Sequence, residues 1–277
     1  MFSVRTMVSF SVTALLLGVV ACHSRQPITQ RDPTFVPLDR TQLALLVSTT
    51  PLASTAHIDL INRADASGIA DTAYADYTEL WQRHQGDANA NVWRGIAAEV
   101  YFSRATAPGS KYRISPALRG EVYSAAEQCL HTAAGKAPTS PLATLYYGDY
   151  VFWYGTSEEA HGHMVDGLAL MRKAVNLDPK WYRGHMLLGH ACAEYDDPAS
   201  LREAQRELLT AERLAPYKSF IPWRLVRVYI DTGQYLEARR ALERVRALSP
   251  PGVASQYQGD YYQSVIDKHL GKPHAAP

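Results

Sequence analysis

The strongest constraint on what this chain can fold into is a spacing that recurs. Ala204, Leu208, Ala211 and Pro216 follow a small-x3-large-x2-small-x4-Pro pattern, and Ala238, Leu242, Val245 and Pro250 repeat it with every paired residue 34 positions further on. Gly167, Met171, Ala174 and Pro179 have the same internal spacing, as do Ala126, Leu130, Ala133 and Pro138. Steps of four and three place the first three residues of each set on one face of a helix. Small residues on that face let a neighbouring helix come close, and the proline stops the helix just past its end. A fixed period of this length means one helical unit repeated, each unit burying its apolar face on the next. Val-Ile-Thr runs with period two are absent, so the spacing predicts an all-α chain.

Each such helix follows another with its own signature. Trp93 to Tyr101 read WRGIAAEVY, Tyr147-Gly148 lies in TLYYGDYVFWYG, Leu188-Gly189 lies in GHMLLGHACAEY, and Ile221 to Gln234 read IPWRLVRVYIDTGQ. Together these segments resemble the tetratricopeptide pattern of W-x2-L-G-x2-Y, then A-x3-F, then P, over roughly residues 55–250. The resemblance implies a right-handed superhelical solenoid of antiparallel helix pairs, about four to five pairs over 53–252. Residues 253–270, with SQYQGDYYQSVIDKHL, read as a capping helix packing Tyr261, Val265 and Tyr257 inward, followed by a tail over 271–277. The repeat is irregular: extra residues fall around Gly155–Gly162 and Asp196–Ser200, and a larger insertion runs from Ala105 to Ser115. Insertions in repeats usually collect on one face, often the binding face.

The N-terminus reads as an export signal. Arg5 precedes an apolar run from Met7 to Val20, and small residues lead to Cys22. That run is too short for a membrane-spanning helix, which needs about 20 residues. Val19-Val20-Ala21-Cys22 resembles the lipobox of bacterial lipoproteins, which implies cleavage after residue 21 and lipidation of Cys22. Residues 22–52, with Pro27, Pro33 and Pro37 in their polar first part, then read as a flexible stalk and lead-in. The expected location is the cell envelope, on the periplasmic side of the outer membrane in a Gram-negative cell, because His23 rather than Asp follows Cys22.

Charge excludes one class of function. Residues 1–21 contain one base and no acid, so the remaining chain has 27 Lys+Arg against 27 Asp+Glu. A neutral chain without a basic tract has no counterion-release drive toward nucleic acid. Cys129 and Cys192 fall in non-adjacent repeats and read as buried free thiols.

No catalytic motif is present: no Gly-x-Ser-x-Gly, no phosphate-binding glycine loop, no His-Glu-x-x-His and no Cys-x-x-Cys. The sequence therefore predicts a non-enzyme without a cofactor. SEEAHGHMVD offers His161 and His163 beside carboxylates as weak metal ligands, against the plainer reading of a polar loop. In tetratricopeptide arrays the first helix of each pair lines a concave groove. Carried over by spacing from each Gly-like position, this implies partner-binding roles for Arg94, Tyr101 and Phe102, for Asp149, Phe152 and Trp153, for His190 and Glu194, and for Trp223 and Arg227. Ala98, Met186 and Asp231 fall on the same face. Phe152, Trp153 and Trp223 carry the competing reading of core residues. The expected partner is a protein or peptide; a small-molecule or solute-transport role is the alternative, and metal binding a minor one.

Overall fold

The computed structural model describes residues 37–112, 114–154, 160–195, 197–249 and 259–271. The export segment with Cys22, the carboxylates Glu158 and Glu159, the imidazole of His161 and Pro250 lie outside the described residues. Among the described residues there are twelve helices and no strand. They form two compact units, Pro37–Cys129 and Leu130–Pro277.

The first unit holds α1 (Arg40–Thr49), α2 (Ala56–Ala66), α3 (Ala70–Arg83), α4 (Ala88–Thr106) and the start of α5 (Pro116–Lys136). Residues 40–49 are not part of a flexible lead-in. Asp39 accepts a hydrogen bond from the Gln42 backbone N–H, and the Gln42 side chain accepts one from the Asp39 N–H. This capping box satisfies orphan donors at the helix start. Leu43 and Val47, four residues apart, are then buried, and the helix packs on α2 and α3. Asp87 caps α4 in a related way, accepting from the N–H groups of Asn89 and Ala90.

The insertion after α4 is fastened down. Lys111 Nζ donates to the Gly68 carbonyl at 2.7 Å, and the Ala70 N–H donates to the Tyr112 hydroxyl at 3.2 Å. Both bonds tie this segment to the turn between α2 and α3, where Gly68 supplies a φ of +72°.

The second unit holds the rest of α5, then α6 (Pro141–Tyr154), α7 (Ala160–Leu177), α8 (Tyr182–Tyr195), α9 (Pro198–Leu214), α10 (Phe220–Asp231), α11 (Tyr235–Leu248) and α12 (Asp260–Leu270). Among the described residues, chain order gives five successive helix pairs, α2/α3 to α10/α11. The recurring triplets of α5, α7, α9 and α11 are buried throughout. Their small members decide the approach of the first helices. A Cβ on Gly167 of α7 would lie 2.6 Å from the Phe152 backbone nitrogen of α6. A Cβ on Gly189 of α8 would lie 2.8 Å from Leu208 Cγ of α9. Backbones this close exclude any larger side chain.

Helix α12 packs on α10 and α11, but in a different register from the expected one. Ile266 is fully buried, Tyr262 meets Trp223 at 5.3 Å, and His269 stacks on Tyr235 at 4.1 Å. Tyr261 is 64% exposed. Tyr262 and Ile266, four apart, form the inward stripe; one residue of rotation turns Tyr261 and Val265 off its centre.

Candidate binding face on the first helices

Helices α6, α8 and α10 are the first members of three successive pairs, and neighbours among them touch. Gly148 and Gly189 sit at matching positions, each pressed against its partner helix. The residues that follow, Asp149 and His190, occupy equivalent places, and Trp153 and Glu194 lie one turn further along.

These residues form a continuous polar chain. The indole N–H of Trp153 donates to Asp149 Oδ1 at 3.0 Å. The Trp153 ring lies 5.1 Å from the His190 ring, tilted by 35°. His190 Nε2 approaches Glu194 Oε1 at 3.6 Å, too long for a good hydrogen bond. Glu194 is ion-paired with Arg227 of α10, and Arg227 Nε lies 3.5 Å from Asp231. Contacts within a helix thus alternate with contacts between helices, from Asp149 to Asp231.

Burial sets the protonation states. Desolvation pushes Asp149 up to about 7, with the Trp153 bond and the charge of Arg224 pulling the other way. One of its oxygens, Oδ2, has no hydrogen-bond partner among the described residues. Desolvation also holds His190 down at about 3, so its ring is neutral near pH 7. Burial alone would raise Glu194, but its contacts with His190 and Arg227 hold it at about 2. Arg224 is lowered to about 10 by burial, opposed first by Glu194. Every charged state here except that of Asp149 is therefore fixed around neutrality.

Against solved structures, the chain resembles the crystal structure of a thermophilic TPR protein from Thermus thermophilus, with a TM-score of 0.55 and 14% sequence identity. The match covers 84% of this chain and 99% of that one. The fold is a tetratricopeptide-repeat (TPR) fold. No family model matches the sequence, and no curated protein matches it.

Within the TPR fold the candidate residues divide. Phe152 is fully buried and grips Gly167, and Met186 and Ala98 are buried as well. These side chains are core and offer no surface to a partner. Trp153, Glu194, Trp223 and Arg227 are part-exposed above the buried Asp149 and His190. Arg224 belongs to the same cluster and was not singled out in the sequence. It lies three residues before Arg227, hence on the same side of α10, and that spacing was the available signal.

In the first unit Arg94 is held rather than presented. Its guanidinium lies 4.1 Å over the Trp81 ring and reaches Cys129 Sγ at 3.5 Å. Tyr101 is buried, stacked on Tyr74 at 5.8 Å, and Phe102 meets Tyr123 at 5.4 Å. The two thiols, Cys129 and Cys192, are buried and unpaired.

His163 is exposed on α7. His185 and His190, the residues that would have to complete a metal site with it, are engaged elsewhere. His185 Nδ1 contacts Glu207 at 2.7 Å, and its Nε2 contacts the Pro179 carbonyl at 2.9 Å. Among the described residues no group of three or more metal-binding side chains comes together.

Proposed function

We propose that the chain is a non-catalytic binding module of the cell envelope that holds a protein or peptide partner on the α6–α8–α10 face. The observation that carries this reading is the polar chain itself. A repeat scaffold gains nothing in stability from burying Asp149 and His190 when apolar residues would fill the same positions. Such groups suit a surface that selects what it binds. The part-exposed Trp153, Trp223 and Arg227 around them are the residue types that dominate interface energetics. Helical repeats present extended surfaces of this kind. The N-terminal segment ending at Cys22 supports attachment to a membrane through a lipid, and the neutral charge balance argues against nucleic acid.

The competing reading is a small-molecule carrier. Its support is a cavity of about 240 Å³ lined by His131, Thr144, Tyr147, Leu170 and Lys173. That volume is below the roughly 300 Å³ at which pockets for such ligands begin.

The test is capture from solubilised envelope with the intact chain and with a Trp153→Ala, Trp223→Ala, Arg227→Ala variant shown by circular dichroism to be folded. A polypeptide retained by the intact chain and lost by the variant is the expected result. Equal retention by both forms, or none by either, would count against the face.

A further inference from the structure

Among the described residues, the charges along the polar chain do not balance. Among the described residues of the cluster, three carboxylates (Asp149, Glu194 and Asp231) meet two guanidiniums, Arg224 and Arg227, and a neutral imidazole. Glu194 is paired with Arg227 and is the first charge felt by Arg224. Asp149 is only the last-ranked charge felt by Arg224, and its Oδ2 is without a partner among the described residues while the residue is 1% exposed. Asp149, at the end of the chain nearest Trp153, is thus the carboxylate of this cluster with an oxygen left unbonded among the described residues.

Trp153 connects that charge to solvent. Its N–H is bonded to Asp149, its ring leans on His190, and it is itself half-buried. A carboxylate that accepts an indole N–H pushes electron density into the ring. The ring face then becomes a better seat for a cation, whose attraction to the ring quadrupole adds to the field of the buried charge behind it. Asp149 itself has almost no accessible surface, so a partner meets its charge through the indole.

We infer that Trp153 is the seat for a basic side chain of the partner, a lysine or arginine of a polypeptide, with Asp149 as its buried counter-charge. The inference rests on the α6–α8–α10 face being the partner-binding surface. It gives that surface a charge preference: basic segments are held, acidic ones are repelled. In this arrangement Asp149 is a positioning residue that acts through Trp153.

The preference depends on pH through Asp149. Around it stand Trp153 on its own helix, His190 and Glu194 on α8, Arg224 and Arg227 on α10, and Tyr262 of α12 beyond them. His131 of α5 faces Tyr147 of α6, and α7 contributes the non-ionisable Gly167 and Met171. The groups on α8 and α10 hold one charge state from pH 6 to pH 8, and Tyr262 stays neutral because burial raises it. Asp149, at about 7, gains its charge across that interval.

The experiment follows the indole N–H of Trp153 by nuclear magnetic resonance in the nitrogen-labelled chain, assigned with Trp153→Phe. Capped tetralysine, tetraserine and tetraglutamate are the probes. The expected result is a saturable shift with tetralysine at pH 8 and none with the other two. Asp149→Asn keeps the shape and the acceptor for the indole but removes the charge, and should weaken tetralysine binding about tenfold. In the unaltered chain, binding should be roughly fivefold weaker at pH 6 than at pH 8, because the ionised fraction falls from about 0.9 to about 0.1 while the neutral form still binds about tenfold more weakly. That pH comparison stands even if Asp149→Asn fails to fold. Equal shifts with tetraserine or tetraglutamate, or no change with pH, overturn the charge preference and leave the face as a peptide surface. No shift with any probe, while an envelope partner is still captured through the face, also overturns it. No shift and no captured partner overturn both readings.

Discussion

Two buried carboxylates, one in each unit, solve the same problem in opposite ways. Asp65 of α2 and Asp149 of α6 are both pushed up by burial. Arg104 closes on Asp65 with two bonds of 2.6 Å, one to each oxygen. Among the described residues, Asp149 receives a single indole N–H on one oxygen and nothing on the other. The first arrangement is complete within the fold, and it ties α2 to α4. The second is incomplete, so its charge is available to something outside. A buried ion pair reads as architecture. A buried charge without its partner reads as a site.

The largest effect should come from opening the closed arrangement. Arg104→Met leaves Asp65 buried without its hydrogen-bonded counter-charge, with only the charge of Lys111 still acting on it, and should destabilise the chain by about 3–5 kcal/mol in urea unfolding. A loss below about 1 kcal/mol would mean that Asp65 is not confined as the geometry implies.

The open arrangement should show itself as a pH slope. The folded value of Asp149 is about 7, above its ordinary 3.8. The unfolded chain therefore releases this proton first. Stability falls as pH rises from about 4 to about 7, by up to about 4 kcal/mol, and is level above. Asp149→Asn should remove that slope and leave the chain more stable than the parent at pH 8. Stability curves for the two chains that run parallel from pH 4 to pH 8 would show that Asp149 is paired after all.

A smaller effect tests the packing beneath the open site. Gly167→Ala forces a methyl group against the Phe152 backbone and should cost about 1–3 kcal/mol. Gly135→Ala on α5, where a Cβ meets nothing within 4 Å, is the matched control and should be neutral or slightly stabilising. Thermal midpoints that move equally in the two variants would contradict the close approach of α6 and α7. The smallest effect belongs to the cap of α1. Asp39→Ala should cost about 1 kcal/mol and raise amide exchange over residues 40–49 while leaving α3 protected. Unchanged exchange there would mean that the capping box does not hold this helix.

Much of the fold was legible because the second helices of the pairs carry a dense signal. A small residue, a large one and another small one at steps of four and three identify a buried stripe, and the proline marks its end. Those twelve positions are buried in the structure. The first helices were harder to divide. Asp149 and Phe152 are both on α6 and both buried, yet one is an open polar group and the other is core. Spacing places a residue on a face but does not say how closely the neighbouring helix covers it. The same limit explains the cap, where Ile266 rather than Val265 faces inward. It also explains α1, where Leu43 and Val47 are buried while Leu45, also apolar, is exposed.

The sequence by itself determined the helical class and the repeated helix-pair unit. Those properties are local: they follow from periodicity, small residues and helix-stopping prolines within one unit. Only the tertiary structure decided that Arg104 neutralises Asp65 across 39 positions while, among the described residues, no guanidinium closes on the second oxygen of Asp149. Such pairing depends on which side chains neighbouring helices bring within about 3 Å, and at that range a one-residue rotation of a helix changes the partner.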